Sequence, residues 1–153
     1  MRFDPGMLEA IRSDERVIWT EDIIRFGDID ANHHVNNTAF SVLCESGRVN
    51  LFRSRFGDVP RATHYFVVAR LTIDFLGELR YPGRVRTGTW IARIGRTSLQ
   101  LRQVLLDDGG RPAATSDCIS VVMESATRRP APLPEDLRQE AEALLRPDSA
   151  DPA

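Results

Sequence analysis

The sequence predicts an α+β domain in which a curved antiparallel sheet of about five strands wraps one long central helix. Three observations carry that expectation. Residues 37–57, "NTAFSVLCESGRVNLFRSRFG", place Phe40, Leu43, Cys44, Gly47 and Leu51 at i, i+3, i+4, i+7 and i+11, a single helical stripe. After this segment the apolar period changes to two, in "YFVVARLTIDFLGEL", the alternation of a half-buried strand. The strands that follow are joined by short turns, which makes them antiparallel, and a single helix covers only one face of such a sheet.

The first strand is "RVIWTEDIIRF" (16–26), β-rich at both ends, and it leads into a dense polar cluster, "GDIDANHHVNN". In the helix that follows, Asn36 or Asn37 caps the start and Gly57 closes the end. Gly47, at mid-helix, costs about 1 kcal/mol against alanine, so its place implies close approach of a strand or of a neighbouring chain. In the next strand Val67, Ala69, Leu71, Ile73 and Phe75 share one face. "RYPG" turns the chain into three further strands at 84–96, 97–108 and 111–125, the last two joined by a hairpin at "DDGGRP". "PEDLRQEAEALL" (134–145) reads as a short exposed helix with proline at its start. No internal repeat or long linker divides the chain. The expectation is one domain over 1–153, with its core at about 16–125 and a C-terminal tail at 126–153.

The second face of the sheet also carries apolar residues, with Trp90 and Ile94 opposite Val85 and Ile91. An exposed face of this kind marks an interface, and edge strands pairing across a two-fold axis give a homodimer, or a homotetramer built from two. The alternative is that sheet twist and the C-terminal tail hide that surface.

Composition narrows the partners. The formal net charge is -2, so no basic field favours nucleic acid. All twenty basic residues are arginine, which reads first as genome composition, although the planar fork of arginine donors also suits phosphate contacts. Cys44 and Cys118 lack metal-ligand spacing and sit in apolar surroundings, as small buried hydrophobes of a reducing compartment do. No metal and no organic cofactor is expected. "MRFDPGMLEAIRSDER" has no apolar signal-peptide core, and no apolar run approaches the ~20 residues that span a bilayer. Cytoplasmic location without membrane contact is the expectation.

The polar cluster lies where the first strand ends and the helix begins. A helix start offers unpaired backbone N–H groups and a positive dipole end, which polarise a carbonyl oxygen. A carboxylate in the loop just before it is placed to attack that carbonyl carbon or to activate water. Together these parts suffice for acyl transfer to water. Asp28 reads as structural, satisfying N–H groups of the turn, and the same habit is the alternative role for Asp30.

"GDIDANHHVNNTAF" resembles the D-x-D-x-x-G-H-V-N-N motif of hotdog-fold acyl-CoA thioesterases of the 4-hydroxybenzoyl-CoA thioesterase type. "LTIDFLGELRYPGRVRTGTWIARIGRTSLQL" resembles that family's second and third strands, and "SATRRPAPLPEDLR" its proline-rich exit, so the likeness spans about residues 16 to 140. The resemblance implies a helix wrapped by a sheet and dimers with active sites at the subunit interface. It also implies Asp30 as the catalytic carboxylate and Asn37 as the residue whose backbone amide faces the thioester oxygen. His34 matches the motif histidine, read as a loop organiser. His33 stands where the family usually has glycine, a position suited to φ > 0.

His34, Asn36 and Asn37 also read as cap and loop scaffolding through their side chains. Glu45 is the secondary carboxylate candidate, since some hotdog thioesterases use an acidic residue on the central helix. Its position three residues before Arg48 suits an i, i+3 ion pair instead. Ser98, at a strand start beside Thr97, either bonds substrate or closes a turn. Arg93, Arg96, Arg128 and Arg129 are the candidates for coenzyme A phosphates.

The leading expectation is hydrolysis of an acyl thioester of coenzyme A, or of an acyl carrier protein, with coenzyme A present only as part of the substrate. A non-catalytic dimeric acyl-thioester binding protein is one alternative. A hotdog enoyl-thioester hydratase or dehydratase is another, and it would use Asp30 and His34 as a proton-transfer pair.

Overall fold

Hydrophobic periodicity and turn chemistry resolve into ten segments in the computed structural model, which describes residues 5–57 and 63–147. Residues 1–4, 58–62 and 148–153 of the expected domain lie outside the described residues. The order is α1 (Pro5–Arg12), β1 (Ile18–Ile24), a short 3-10 turn (Phe26–Asp28) and α2 (Asn37–Leu51). A π-helical turn (Phe52–Phe56), β2 (His64–Phe75), β3 (Gly83–Ile94), β4 (Ser98–Leu106), β5 (Pro112–Glu124) and α3 (Glu135–Ala143) follow. The strands form one antiparallel sheet in the order β1-β3-β4-β5-β2, which leaves β1 and β2 at its edges.

The inner face of the sheet packs on α2. Phe40, Leu43, Cys44, Gly47 and Leu51 are all buried, as their spacing requires. Asn36 is the N-cap, its side chain accepting the Thr38 N–H at 2.9 Å. The regular helix stops at Leu51, and the chain widens into the π-helical turn before Gly57 closes it at φ 64. At Gly47 side chains of β3 and β4 pack directly against the helix. A Cβ there would lie 2.7 Å from Gln103 Nε2 and 2.8 Å from both Thr87 Cγ2 and Thr89 Oγ1.

Three sequence expectations need correction. The simple alternation of β2 breaks at Ala69, where one extra residue opposes the Ser120–Ile119 step of β5. Cross-strand partners share a face, so Phe66 (opposite Val122) points inward together with Leu71, Ile73 and Phe75, and Val67 points outward. Trp90 is not left exposed on the second face. The charged N-terminal segment folds as α1, and Leu8, Ile11 and Val17 bury Trp90, Val104 and Leu106. Ile94 turns to the inner cluster, because the register shifts between Ile91 and Arg93. Finally, α3 is not an exposed helix. Leu137, Ala141 and Leu144 join Leu51, Ile91, Leu99 and Leu101 in the core.

A polar latch ties both ends of the described chain together. Asp14 accepts hydrogen bonds from Arg16 (2.7 Å) and Arg146 (2.9 Å), and Arg16 also donates to the Leu145 carbonyl. What stays open is the β2 edge and the neighbouring surface of α2, where Val42, Val49, Val67, Val68 and Phe75 are exposed. No helix among the described residues is long and apolar enough to cross a membrane.

Candidate active site

The polar cluster folds into a tight loop stitched by backbone bonds. Ile29 bridges Val35, the Asp30 N–H donates to the His34 carbonyl, and the Asn36 N–H donates to the Asp28 carbonyl. The Val35 N–H reaches the Leu79 carbonyl at 2.9 Å, which fixes the loop to the β2–β3 connection. His33 takes φ 61, the left-handed conformation that glycine adopts more readily. The loop therefore keeps this geometry without the family's glycine. Asp28 has the structural role expected of it: its carboxylate accepts the Arg25 N–H at 2.7 Å and caps the 3-10 turn.

Asp30 is held by one oxygen only. Its Oδ1 accepts the Asn32 N–H at 2.8 Å and, more weakly, the His34 N–H at 3.4 Å. Its Oδ2 has no hydrogen-bond partner among the described residues. The carboxylate thus stabilises the turn through Oδ1 alone. At the adjoining helix start the Asn36 side chain takes the Thr38 N–H and its carbonyl takes the Ala39 N–H. The Asn37 N–H is left without an acceptor among the described residues, at the positive end of a fifteen-residue helix.

His34 sends its Nε2 to Glu78 Oε2 at 3.2 Å, and Glu78 also takes Arg80 at 2.7 Å. The hydrogen bond from Arg80, aided by the charges of His34 and Arg80, holds the Glu78 carboxyl below its ordinary range. The His34 ring is thereby an anchor between the loop and the β2–β3 connection. Only its backbone N–H reaches the Asp30 carboxylate. Beside this anchor lies a cavity of about 690 Å³, lined among others by Ile24, Glu78, Leu79 and Arg84. The arginines around it are matched to acids, Arg80 to Glu78, Arg84 to Glu21 and Arg111 to Asp107.

Asp30, His34, Asn36 and Asn37 thus meet at one point. Glu45 lies eight residues along α2 from Asn37, about 12 Å by helical rise, and is exposed. It makes no ion pair with Arg48, which turns inward to Gln103 Oε1 at 3.2 Å. The remaining candidates stand apart within one chain. β3 starts at Gly83 near this loop and runs twelve residues to Ile94, roughly 35 Å, and Arg93, Arg96 and Ser98 sit at its far end. Arg128 and Arg129 lie in the turn after β5, beside the first residues of β2. All four arginine side chains are exposed, with no ion pair or hydrogen bond among the described residues. Ser98 closes a turn, its carbonyl accepting the Gly95 N–H.

Sequence reasoning missed Glu78 and the inward turn of Arg48. Both depend on partners more than forty residues away, so no local spacing signals them. No cluster of three or more histidine, cysteine or acidic groups suited to a metal occurs among the described residues. Cys44 and Cys118 are buried and unpaired, and burial pushes the Cys44 thiol up in pKa.

Residues 24–141 match the family described as the thioesterase-like superfamily. Among solved structures, a predicted thioesterase from Bacillus stearothermophilus is 27% identical, with a TM-score of 0.80 over 87% of this chain and 99% of that one. A thioesterase from Thermus thermophilus, solved with coenzyme A and zinc, is 33% identical, with a TM-score of 0.76 over 86% of this chain and 96% of its own. The DHNA-CoA thioesterase of Staphylococcus aureus, at 19% identity and a TM-score of 0.75 over 83% and 89% of the two chains, shares the fold. That fold, a curved sheet wrapped on a central helix, is the hotdog. No curated protein matches the chain.

Proposed function

The chain belongs to the thioesterase-like superfamily and is a thioester hydrolase, and from that premise we propose that it cleaves acyl-CoA at the Asp30 loop. One observation carries the reading. Among the described residues, a carboxylate anchored by one oxygen, with the other unbonded, sits in the loop that leads into a helix whose first N–H has no acceptor. The thioester carbonyl oxygen takes the Asn37 N–H, and the helix dipole favours the negative charge that grows on it. Asp30 Oδ2 either removes a proton from a water that attacks the carbonyl carbon, or attacks that carbon itself to give a mixed anhydride that water then opens. In both routes the C–S bond breaks and the thiolate leaves and is protonated. The D-x-D motif favours the 4-hydroxybenzoyl-CoA thioesterase type, and an acyl carrier protein thioester presents the same bond.

Two further features belong to the proposal. The exposed β2 edge and the apolar surface of Val42, Val49, Val67 and Val68 suit pairing with a second copy across a two-fold axis. Antiparallel pairing of two β2 strands brings the start of one strand beside the end of the other, and so toward the partner copy's Asp30 loop. The chemistry needs no metal or organic cofactor, since the carboxylate and the amide supply both nucleophile activation and oxyanion stabilisation. Free buried thiols at Cys44 and Cys118 suit a reducing, cytoplasmic setting.

The hydratase alternative requires Asp30 and His34 as a proton-transfer pair, and the His34 ring is committed to Glu78. The test is a thiol-release screen over aromatic, short and long acyl-CoAs. Release of thiol with stoichiometric free acid supports the reading. Binding without turnover across the panel would leave a non-catalytic binding protein, and hydration of an enoyl thioester would leave the hydratase.

A further inference from the structure

A buried charge without a counter-charge lies one helix away from the proposed chemistry. Arg48, on the last turns of α2, is 6% exposed. Its Nη1 donates to Gln103 Oε1 at 3.2 Å, and no carboxylate pairs with it among the described residues. A guanidinium is permanently charged and carries five donors; one goes to a neutral amide, and the other nitrogens are not among the buried atoms that lack a partner, so they keep contact with solvent. The surroundings hold it there. Gln103 Nε2 donates to the Cys44 carbonyl and to Thr89 Oγ1, both at 2.9 Å, and Gln103 Oε1 also accepts Ser116 Oγ at 2.8 Å. The amide oxygen is therefore fixed toward Arg48, and none of these groups is an anion.

Arg48 lines a groove of about 270 Å³ between the end of α2 and the start of β2. Its walls are apolar: Val49, Phe52, Phe66 and Val67, with the Phe52 and Phe66 rings stacked at 4.3 Å. The other titratable groups along it are Glu45, Arg53, His64 and Tyr65, and Glu45 does not reach Arg48 within ion-pair distance. Apolar walls with two cations that no carboxylate pairs among the described residues, the buried Arg48 and the exposed Arg53, fit an alkyl chain that ends in an anion. The side of α2 that would face the proposed second copy leads from the thioester site to this groove. Thr38, Val42, Glu45 and Val49 fall on one stripe, and Asn37 lies eleven residues, ~16 Å along the axis, from Arg48. The arginine side chain leans back toward the helix start, which shortens that span.

We propose that this groove reads a carboxylate at the far end of the acyl group, so that the enzyme prefers thioesters of dicarboxylic acids to methyl-terminated acyl thioesters of equal length. The proposal rests on the thioester hydrolase reading but is separable from it in the test. Thioether analogues of adipyl-, suberyl- and sebacyl-CoA, and of the matching methyl-terminated acyl-CoAs, contain no scissile bond. Calorimetric titration of the wild-type protein with each pair measures recognition without catalysis. At one or more chain lengths the carboxylate-ended analogue is expected to bind at least about tenfold tighter, as a hydrogen bond to a buried charge predicts. In Arg48→Gln that ratio falls to about one, while Arg48→Lys, which keeps the charge but loses the fork, retains part of it. Equal binding of both analogues at every length in the wild type overturns the proposal whatever the variants do. A preference that survives intact in a folded Arg48→Gln also overturns it. Neither result touches the hydrolase reading, which stands or falls on thiol release.

Discussion

Replacing Gly47 with alanine sets two effects of opposite sign against each other at one point of α2. Alanine in a helix interior favours the folded state by about 1 kcal/mol over glycine. Against that, the new Cβ would lie 2.7 Å from Gln103 Nε2, 2.8 Å from Thr87 Cγ2 and 2.8 Å from Thr89 Oγ1. Both threonines sit on β3, which is paired on each side by β1 and β4, so their backbone has little room to retreat. Gln103 is the far end of a flexible side chain, but its amide is committed to the Cys44 carbonyl and Thr89. Overpacking of this kind costs about 1–3 kcal/mol, and loss of a buried hydrogen bond adds about 1–3 kcal/mol. The net expectation is destabilisation by about 1–5 kcal/mol, or a melting temperature lower by roughly 2–20 °C for a chain of this size. Urea denaturation at fixed protein concentration reads it as a lower midpoint with unchanged slope. A Gly47→Ala protein as stable as wild type, or more stable, would show that helix propensity governs the position and that the close packing under α2 is not as described.

Three other outcomes follow from the same structure. Sedimentation at micromolar concentration should show a dimer or larger species, and a clean monomer of 17.2 kDa would remove the proposed interface. Activity should persist in excess chelator, whereas loss that zinc or magnesium restores would reveal a metal requirement. Asp14→Asn should lower stability at neutral pH by about 1–3 kcal/mol, because it unties a mostly buried carboxylate from Arg16 and Arg146. The hydrogen bond from Arg16 holds the Asp14 carboxyl well below its ordinary 3.8, so its stabilisation is full above that value and fades as pH falls below it. The gap between Asp14→Asn and wild type should therefore narrow in acid, and a gap that stays constant through the acid range contradicts the latch.

Periodicity was sufficient for the central helix, since each of Phe40, Leu43, Cys44, Gly47 and Leu51 is buried where the stripe put it. The polar loop and its cap were legible for a similar reason: capping and tight turns are local, and Asn36 and Asp28 make their bonds within three residues. What the sequence hid was non-local. A bulge at Ala69 inverts half of β2 without changing its composition. The face carrying Trp90 looked open because the helix that covers it comes from a charged segment with only a few apolar residues, among them Leu8 and Ile11. Arg48 followed Glu45 at ion-pair spacing, yet the neutral Gln103, fifty-five residues on, takes it inward. Spacing on a helix states which residues are neighbours there, and it is silent about partners that the sheet brings in.

Asp30, in the loop that leads into α2, is the carboxylate proposed to drive thioester hydrolysis. Steady-state thiol release by Asp30→Asn and Glu45→Gln, each checked for fold and oligomeric state, tests that role most directly. Asparagine keeps the Oδ1 contacts with the Asn32 and His34 N–H groups available and removes the charge, so turnover should fall at least about a hundredfold. Glu45, exposed some 12 Å along the helix by its rise, should cost less than about tenfold. If instead Glu45→Gln abolishes turnover while Asp30→Asn is nearly silent, the working carboxylate is on the helix and the loop only shapes its start.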